Sequence, residues 1–378
     1  MTSRERVAKA LNHEEGDRIP IDIWGSASRI NTDLYKSMCS ILGIDWEKTG
    51  RLIRPGKDTE YEDYTLADAL GGDFRHINIG KAKNFKSWKD EKGVIYDEWG
   101  IGRSIVGLYP TIVYSPLEDA EMEDLVAYKV PDPDDPGRFE GLEELAKEYY
   151  EGTDKYVTAC SANSGQIFDV CQYLRGAENF FCDLYEEEDF ARLLIDKVTD
   201  YLIRLNINYL EPIAPYIGWV EFTSDFGAQN APFISNKMFE DFFKEPYTKL
   251  YKSVKEKYPN VKIMMHSCGD VADLIDEFID CGVDIMNPLQ PLCRDMDSAS
   301  IKARYGDRVV LHGAVDIQQA IMGTDEDVKN EIDKRVHALG KGGGYILSPS
   351  NHIQRNVPPE NAIALFKYAQ ELGQYPLD

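Results

Sequence analysis

The chain has no pair of cysteines at CxxC spacing. Its seven cysteines, Cys39, Cys160, Cys171, Cys182, Cys268, Cys281 and Cys293, are scattered singly. An odd, unpaired set points to a reducing compartment rather than a disulfide framework. No run of eighteen apolar residues occurs, so no membrane span is expected. The start, Met1-Thr2-Ser3-Arg4-Glu5-Arg6, is charged and has no apolar core, which argues against a signal peptide. Basic residues are in deficit: 42 Lys and Arg stand against 66 Asp and Glu, a formal net charge of −24. Such a surface repels nucleic acid and anionic lipid, and neither is an expected partner. The class expected from these absences is a soluble cytoplasmic globular protein. Functional motifs are missing too. There is no GxGxxG opening a helix after a strand, no P-loop, no EF-hand loop, no HExxH, and no Ser-His-Asp order with a nucleophile elbow. Hydrolase, kinase and zincin readings that rest on those motifs drop out.

What is present is a strand–helix rhythm across 378 residues, a length that α/β barrels often reach as one domain. Strand patterns begin near Tyr156, Ile217, Val261, Asp284, Val309 and Tyr345. Helical patterns lie at 140–151, 187–210, 235–257, 270–280, 325–339 and 359–372. Alternation of this kind predicts a parallel sheet with crossover helices. Earlier in the chain the patterns give a helix capped by Thr2 or Ser3 and running to Leu11, a short strand at Ile21–Gly25, helices at 32–43 and 59–70, a strand at Asp73–Gly80, and a β-hairpin over 90–107. Residues 131–136, with three prolines alternating with aspartates, form a rigid connector inside one domain. Several strands end in polar residues: Glu221 through Asp225, His266 with Cys268, Asn287, His312 with Asp316, and Ser348 through His352. A barrel mouth explains that repetition. The expected architecture is α/β, a (β/α)8 TIM-type barrel formed by one domain over 1–378, with an N-terminal elaboration within 1–150.

The stretch with the most chemistry is Met264-Met265-His266-Ser267-Cys268-Gly269-Asp270. An imidazole and a thiol two residues apart, between an apolar strand and a helix, can bind one zinc ion if other ligands join them. The alternative is that Cys268 packs as a small buried residue and His266 bonds a backbone carbonyl. Glu221 and Asp225 can serve as metal ligands, imidazole orienters or acid–base groups, or Asp225 can cap the turn at Phe226-Gly227. His312 can contact substrate or satisfy a backbone group. His13, His76 and His337 read as surface or structural.

These residues resemble the uroporphyrinogen decarboxylase superfamily. The resemblance rests on residues 2–7 with Asp17-Arg18-Ile19-Pro20, on Tyr96-Asp97-Glu98-Trp99-Gly100, and on Ser224-Asp225-Phe226-Gly227-Ala228-Gln229. It rests further on His266-Ser267-Cys268-Gly269-Asp270, Asn287-Pro288-Leu289-Gln290 and His312-Gly313-Ala314-Val315-Asp316. It implies a (β/α)8 barrel and one of two chemistries. One is decarboxylation of uroporphyrinogen. The other is transfer of methyl groups between a small compound and a corrinoid. The decarboxylase pattern carries an arginine-rich segment where this chain has Asp22-Ile23-Trp24-Gly25-Ser26-Ala27-Ser28. It also carries an aspartate in the strand after Gly71-Gly72-Asp73, where this chain has none. The resemblance therefore implies the methyltransferase branch: a zinc enzyme that moves methyl between a small methylated or methoxylated compound, or a thiol, and the cobalt of a separate corrinoid protein. That branch has a downstream cysteine near positions 350–352, which is missing here. His352 is expected to replace it, with Glu221 as the other candidate. The resulting site has Asp225 and Glu221 as catalytic carboxylates and His266, Cys268 and His352 on the metal. Trp24, Asn287, His312 and Gln229 are expected to contact the substrate. The rival readings are a decarboxylase or lyase acting on another small acid, and a corrinoid- or tetrapyrrole-binding protein without catalysis.

Overall fold

The computed structural model describes residues 1–26, 28–106 and 109–377. Seven parallel strands make one curled sheet: β1 (Phe74–Ile77), β2 (Tyr156–Ala159), β3 (Trp219–Thr223), β4 (Lys262–His266), β5 (Ile285–Leu289), β6 (Val310–Val315) and β7 (Tyr345–Pro349). They lie side by side in chain order. The space between β7 and β1 is taken by the chain around Ile21. Asp22 donates its N–H to Leu347 O, Leu347 donates to Pro20 O, and Asp73 donates to Ile21 O, each at 2.9 Å. This eighth segment closes the sheet into a TIM-type barrel. It stays short for local reasons: Pro20 has no N–H to give, and Trp24 turns the backbone away with a φ of 79°.

The strands are buried on both sides, as a parallel sheet covered by helices requires. The helices Glu188–Leu210, Lys244–Lys257, Asp325–Leu339 and Pro359–Leu372 belong to that outer layer. Two sequence expectations change. The helix at 59–70 shrinks to Tyr64–Ala69, because the Asp63 carboxylate accepts the N–H groups of Thr65 and Leu66 and fixes the start there. Just before it, Tyr61–Glu62 pairs with Arg51–Leu52 as a small ladder. The pattern over 235–257 divides into Asn236–Phe242 and Lys244–Lys257. Helices Ile167–Arg175, Ala177–Glu186 and Ser298–Tyr305 were not anticipated.

The N-terminal helix α1 (Ser3–Leu11) plugs one end of the barrel. Thr2 and Glu5 form its capping box. Its Val7, Ala10 and Leu11 join one buried cluster with Phe74, Trp219, Met264, Ile285, Val310 and Ile346. Each of those last six comes from a different strand. Two residues further along the same strands, side chains point the same way again. There the residues are His76, Glu221, His266, Asn287, His312 and Ser348, all buried. The barrel interior is thus an apolar floor with a polar tier above it, toward the strands' C-terminal ends.

The expected hairpin is the centre of a four-stranded antiparallel sheet: Trp88–Lys89, Ile95–Tyr96, Gly102–Val106 and Tyr109–Tyr114. Its expected last residue, Gly107, lies outside the described residues, as do Ala27 of the early segment and the terminal Asp378. Among the described residues no helix is long and apolar enough to cross a membrane.

Candidate functional site

His266 ends β4, and Cys268 sits just past it on the loop into the next helix. That loop is pressed against the loop after β3. Asp270 donates its N–H to Ala228 O at 2.7 Å. A side chain at Gly269, whose φ is 88°, would run into the backbone of Gly227. Glycine at both positions permits the approach. The contact brings Asp225 to Cys268, whose N–H donates to Asp225 Oδ1 at 2.9 Å.

Three ligand-type side chains therefore converge: Asp225, His266 and Cys268 offer atoms within 4.8 Å of one another. His266 Nε2 lies 3.3 Å from Cys268 Sγ and 3.5 Å from Asp225 Oδ1. The other ring nitrogen, Nδ1, lies 2.6 Å from Asn287 Oδ1. With that amide orientation Nδ1 carries the proton, and Nε2 presents its lone pair to the thiol and carboxylate.

The Asn287 contact is one link in a buried line across the barrel. Asn287 Nδ2 donates to His312 Nδ1 at 2.6 Å. His312 Nε2 donates to Asp22 Oδ2 at 2.8 Å, and His76 Nε2 donates to Asp22 Oδ1 at 2.8 Å. His76 Nδ1 reaches Thr158 Oγ1 at 2.7 Å. Burial opposes charge on Asp22, yet His76 and His312 hold its carboxyl well below the usual range. Burial likewise opposes charge on His76, and Asp22 pushes that imidazole up. Glu221 sits beside this line. Its Oε2 accepts the Ser26 N–H at 2.8 Å, and its Oε1 lies 3.9 Å from His76 Nδ1 without a hydrogen bond.

The donor set at the mouth fits zinc. A thiolate, an imidazole and a carboxylate are ligands that ion accepts. Burial, and then the Asp225 carboxylate, push the Cys268 thiol well up. A thiolate there needs a cation beside it. The sulfur also faces two amide donors, Asn351 Nδ2 at 3.3 Å and Gln290 Nε2 at 3.5 Å. A second convergence, His76 with Cys160 and Glu221, is wholly buried. Both nitrogens of His76 are already engaged there, by Asp22 and Thr158. The mouth cluster is the better metal candidate for that reason.

The residues expected at the site divide into three groups. Asp225, His266 and Cys268 come together. Glu221, Asn287 and His312 occupy the polar tier beneath. Trp24, Gln229 and His352 sit elsewhere. Trp24 forms no wall of the mouth: it is fully buried, donates its Nε1–H to Asp63 O at 3.0 Å, and packs edge-on to Tyr35. Its positive φ turns it into the core. Gln229 is exposed on the rim and donates to Leu292 O at 2.9 Å. His352 Nδ1 accepts the Arg29 N–H at 3.1 Å, and His352 is not part of the ligand cluster; its neighbour Asn351 is the residue that meets Cys268.

Sequence reasoning missed Asp22, His76 and Asn351 as site residues. His76 is not at the surface but fully buried in the barrel. A signal for it existed. Phe74-x-His76 repeats the apolar-x-polar step of Trp219-x-Glu221, Met264-x-His266 and Val310-x-His312. Reading that step across all strands would have assigned His76 to the inner tier.

A cavity of about 830 Å³ opens at Asp225, lined also by Arg29, Arg54, Arg103, Asp169 and Tyr173; neither His266 nor Cys268 lines it. Asp169 accepts the Asp225 N–H at 3.2 Å. Burial, and then the nearby Asp225 charge, push its carboxyl up to about 7.

Residues 104–372 match the model of the uroporphyrinogen decarboxylase (URO-D) family. The uroporphyrinogen decarboxylase of Psychromonas ingrahamii is 28% identical over 189 residues, which cover 50% of this chain and 50% of that protein. That of Trichodesmium erythraeum is 28% identical over 132 residues, 35% of each. The chain thus spans half the length of the first relative and about a third of the second. A solved methyltransferase from Methanosarcina mazei shares the fold: it matches with a TM-score of 0.69 at 17% identity, covering 98% of this chain and 99% of its own. Because the family match takes in more than half of its residues, and the barrel agrees with it, the chain belongs to the uroporphyrinogen decarboxylase family.

Proposed function

We propose that this protein is the methyltransferase component of a corrinoid system. It would move a methyl group between a small methylated or methoxylated compound and the cobalt of a separate corrinoid protein. The observation that carries the reading is the convergence of Asp225, His266 and Cys268 at the barrel mouth, with His266 turned by Asn287 so that Nε2 faces the other two.

Asp225, His266 and Cys268 would hold zinc. Bound there, zinc would supply Lewis acidity, drawing electron density from the donor's oxygen or holding a thiol as thiolate. The protein's own residues do the rest. Asn287, His312 and Asp22 fix the imidazole, so its orientation costs little at the moment of reaction. The cavity walls position the donor with its methyl group toward the opening, where a partner's cobalt can reach it. For an ether donor, the bond that breaks is methyl carbon to oxygen. The bond that forms is cobalt to carbon, with the electron pair coming from cobalt(I). The oxygen leaves with its bonding pair and gains one proton. Asp169, a buried carboxyl of the same cavity, would be the source of that proton.

The test is methyl transfer from a panel of methylated and methoxylated compounds to reduced corrinoid protein, followed by the absorbance of methylcobalt, with metal content measured on the same sample. The competing reading is decarboxylation, in keeping with the names of the relatives. Carbon dioxide released from uroporphyrinogen, with no methyl transfer from any donor, would replace the proposal by that reading.

A further inference from the structure

The buried line beneath the mouth has a direction, and Asp22 stands at its head. Burial opposes charge on Asp22, but His76 and His312 keep its carboxyl ionised. An ionised carboxylate accepts hydrogen bonds and cannot donate. His312 Nε2, 2.8 Å from Asp22 Oδ2, therefore carries a proton. A neutral imidazole has one N–H, so His312 Nδ1 is left as an acceptor. The donating end of Asn287, Nδ2, fills it at 2.6 Å. The accepting end, Oδ1, then faces His266 Nδ1, and that ring holds its proton there. Nε2 is left with its lone pair toward Cys268 and Asp225. Asp22, His312, Asn287 and His266 are each 5% exposed or less, so water cannot repair a donor facing a donor. His76 fixes the other side of Asp22. Its Nε2 lies 2.8 Å from Asp22 Oδ1 and 3.1 Å from Ile23 O. A backbone carbonyl only accepts, so His76 Nε2 donates whatever side chain replaces Asp22.

We propose that Asp22 is a positioning residue that selects the metal-binding tautomer of His266, acting through His312 and Asn287. The tautomer selection stands without a metal; its consequence for zinc rests on the reading of Asp225, His266 and Cys268 as ligands. Asp22→Asn keeps the shape but has one accepting and one donating end. His76 Nε2 claims the accepting end, so the new NH2 faces His312 Nε2. The His312 proton then sits on Nδ1, the Asn287 amide turns over, and His266 holds its proton on Nε2, pointing at the thiol. A nitrogen in that state cannot bind a metal.

Nitrogen NMR of the metal-free full chain, labelled with 15N-histidine, reads the tautomers. Wild-type His266 should be protonated at Nδ1, and the Asp22→Asn protein should carry that proton at Nε2. Zinc affinity of the same proteins, by competition with a chromophoric chelator, should fall at least about tenfold in the variant. Thr158→Val is the control. It removes the contact at His76 Nδ1 and leaves the direction of the line alone, so tautomer and affinity should match wild type. If Asp22→Asn fails to fold, His312→Phe cuts the same line, and His266 should then show both tautomers. A His266 tautomer that neither variant changes overturns the proposal even where zinc affinity falls, since Asp22 would then act on stability alone. Wild-type His266 protonated at Nε2 overturns it too. A turned tautomer with unchanged zinc affinity upholds the positioning role and removes His266 from the metal.

Discussion

Asn287 Oδ1 lies 2.6 Å from His266 Nδ1, deep under the barrel mouth. The contact decides which nitrogen of His266 faces Cys268. Asn287→Ala removes the acceptor and leaves the ring to rotate. Zinc affinity should then fall about 10- to 100-fold, the usual effect of losing a partner behind a ligating imidazole. Competition with a chromophoric chelator measures it. Unchanged affinity would mean that His266 is held by something other than this amide.

Cys268→Ala should remove most bound zinc, since it deletes the only sulfur in the mouth cluster. His352→Ala should keep it, because Asn351 rather than His352 contacts that sulfur. Elemental analysis of both variants beside the wild type separates the two. Zinc lost from the His352 variant and kept in the Cys268 variant would move the metal away from this cluster.

Gly269 has a φ of 88° and touches the backbone of Gly227. Gly269→Ala adds both left-handed strain and a collision with main chain that has little room to yield. A loss of at least about 2 kcal/mol in unfolding free energy is expected, read from urea denaturation. Zinc binding should weaken as well, because the same contact carries Asp225 to Cys268. A fully stable alanine variant would show that the two loops separate without cost.

Asp17 links the N-terminal helix to the barrel through Arg6, with contacts of 2.7 and 2.8 Å. Burial opposes the charge, but the Arg6 hydrogen bonds prevail and bring the Asp17 carboxyl down to about 2. A carboxyl depressed on folding stabilises above its unfolded value, near 3.9, and that contribution fades as pH falls toward the folded value. The Asp17 side chain is 39% exposed, so the effect is small, under about 1 kcal/mol. Wild type should melt slightly above Asp17→Asn at pH 6, and the gap should close between about pH 4 and pH 2. Melting curves across that range test it; a gap that widens with acid contradicts the pairing.

The sequence by itself determined the strands, the main helices and the position of His266 and Cys268. Those features are local. Apolar periodicity and the change from strand to helix are written in neighbouring residues, and β4 ends at His266 for that reason. The family resemblance was legible for the same cause, since its motifs lie at strand ends.

Only the tertiary structure decided which of these residues meet. Asp22 is 290 positions from His312, yet their side chains bond at 2.8 Å, because the chain around Ile21 closes the barrel next to β7. His76 enters the same line because β1 lies on the other side of that closing segment. Trp24, expected at the substrate, is turned into the core by its backbone. Asn351, not His352, meets the thiol. Lateral approach depends on register, closure and backbone sign at single residues, and none of these has a periodic signature along the chain.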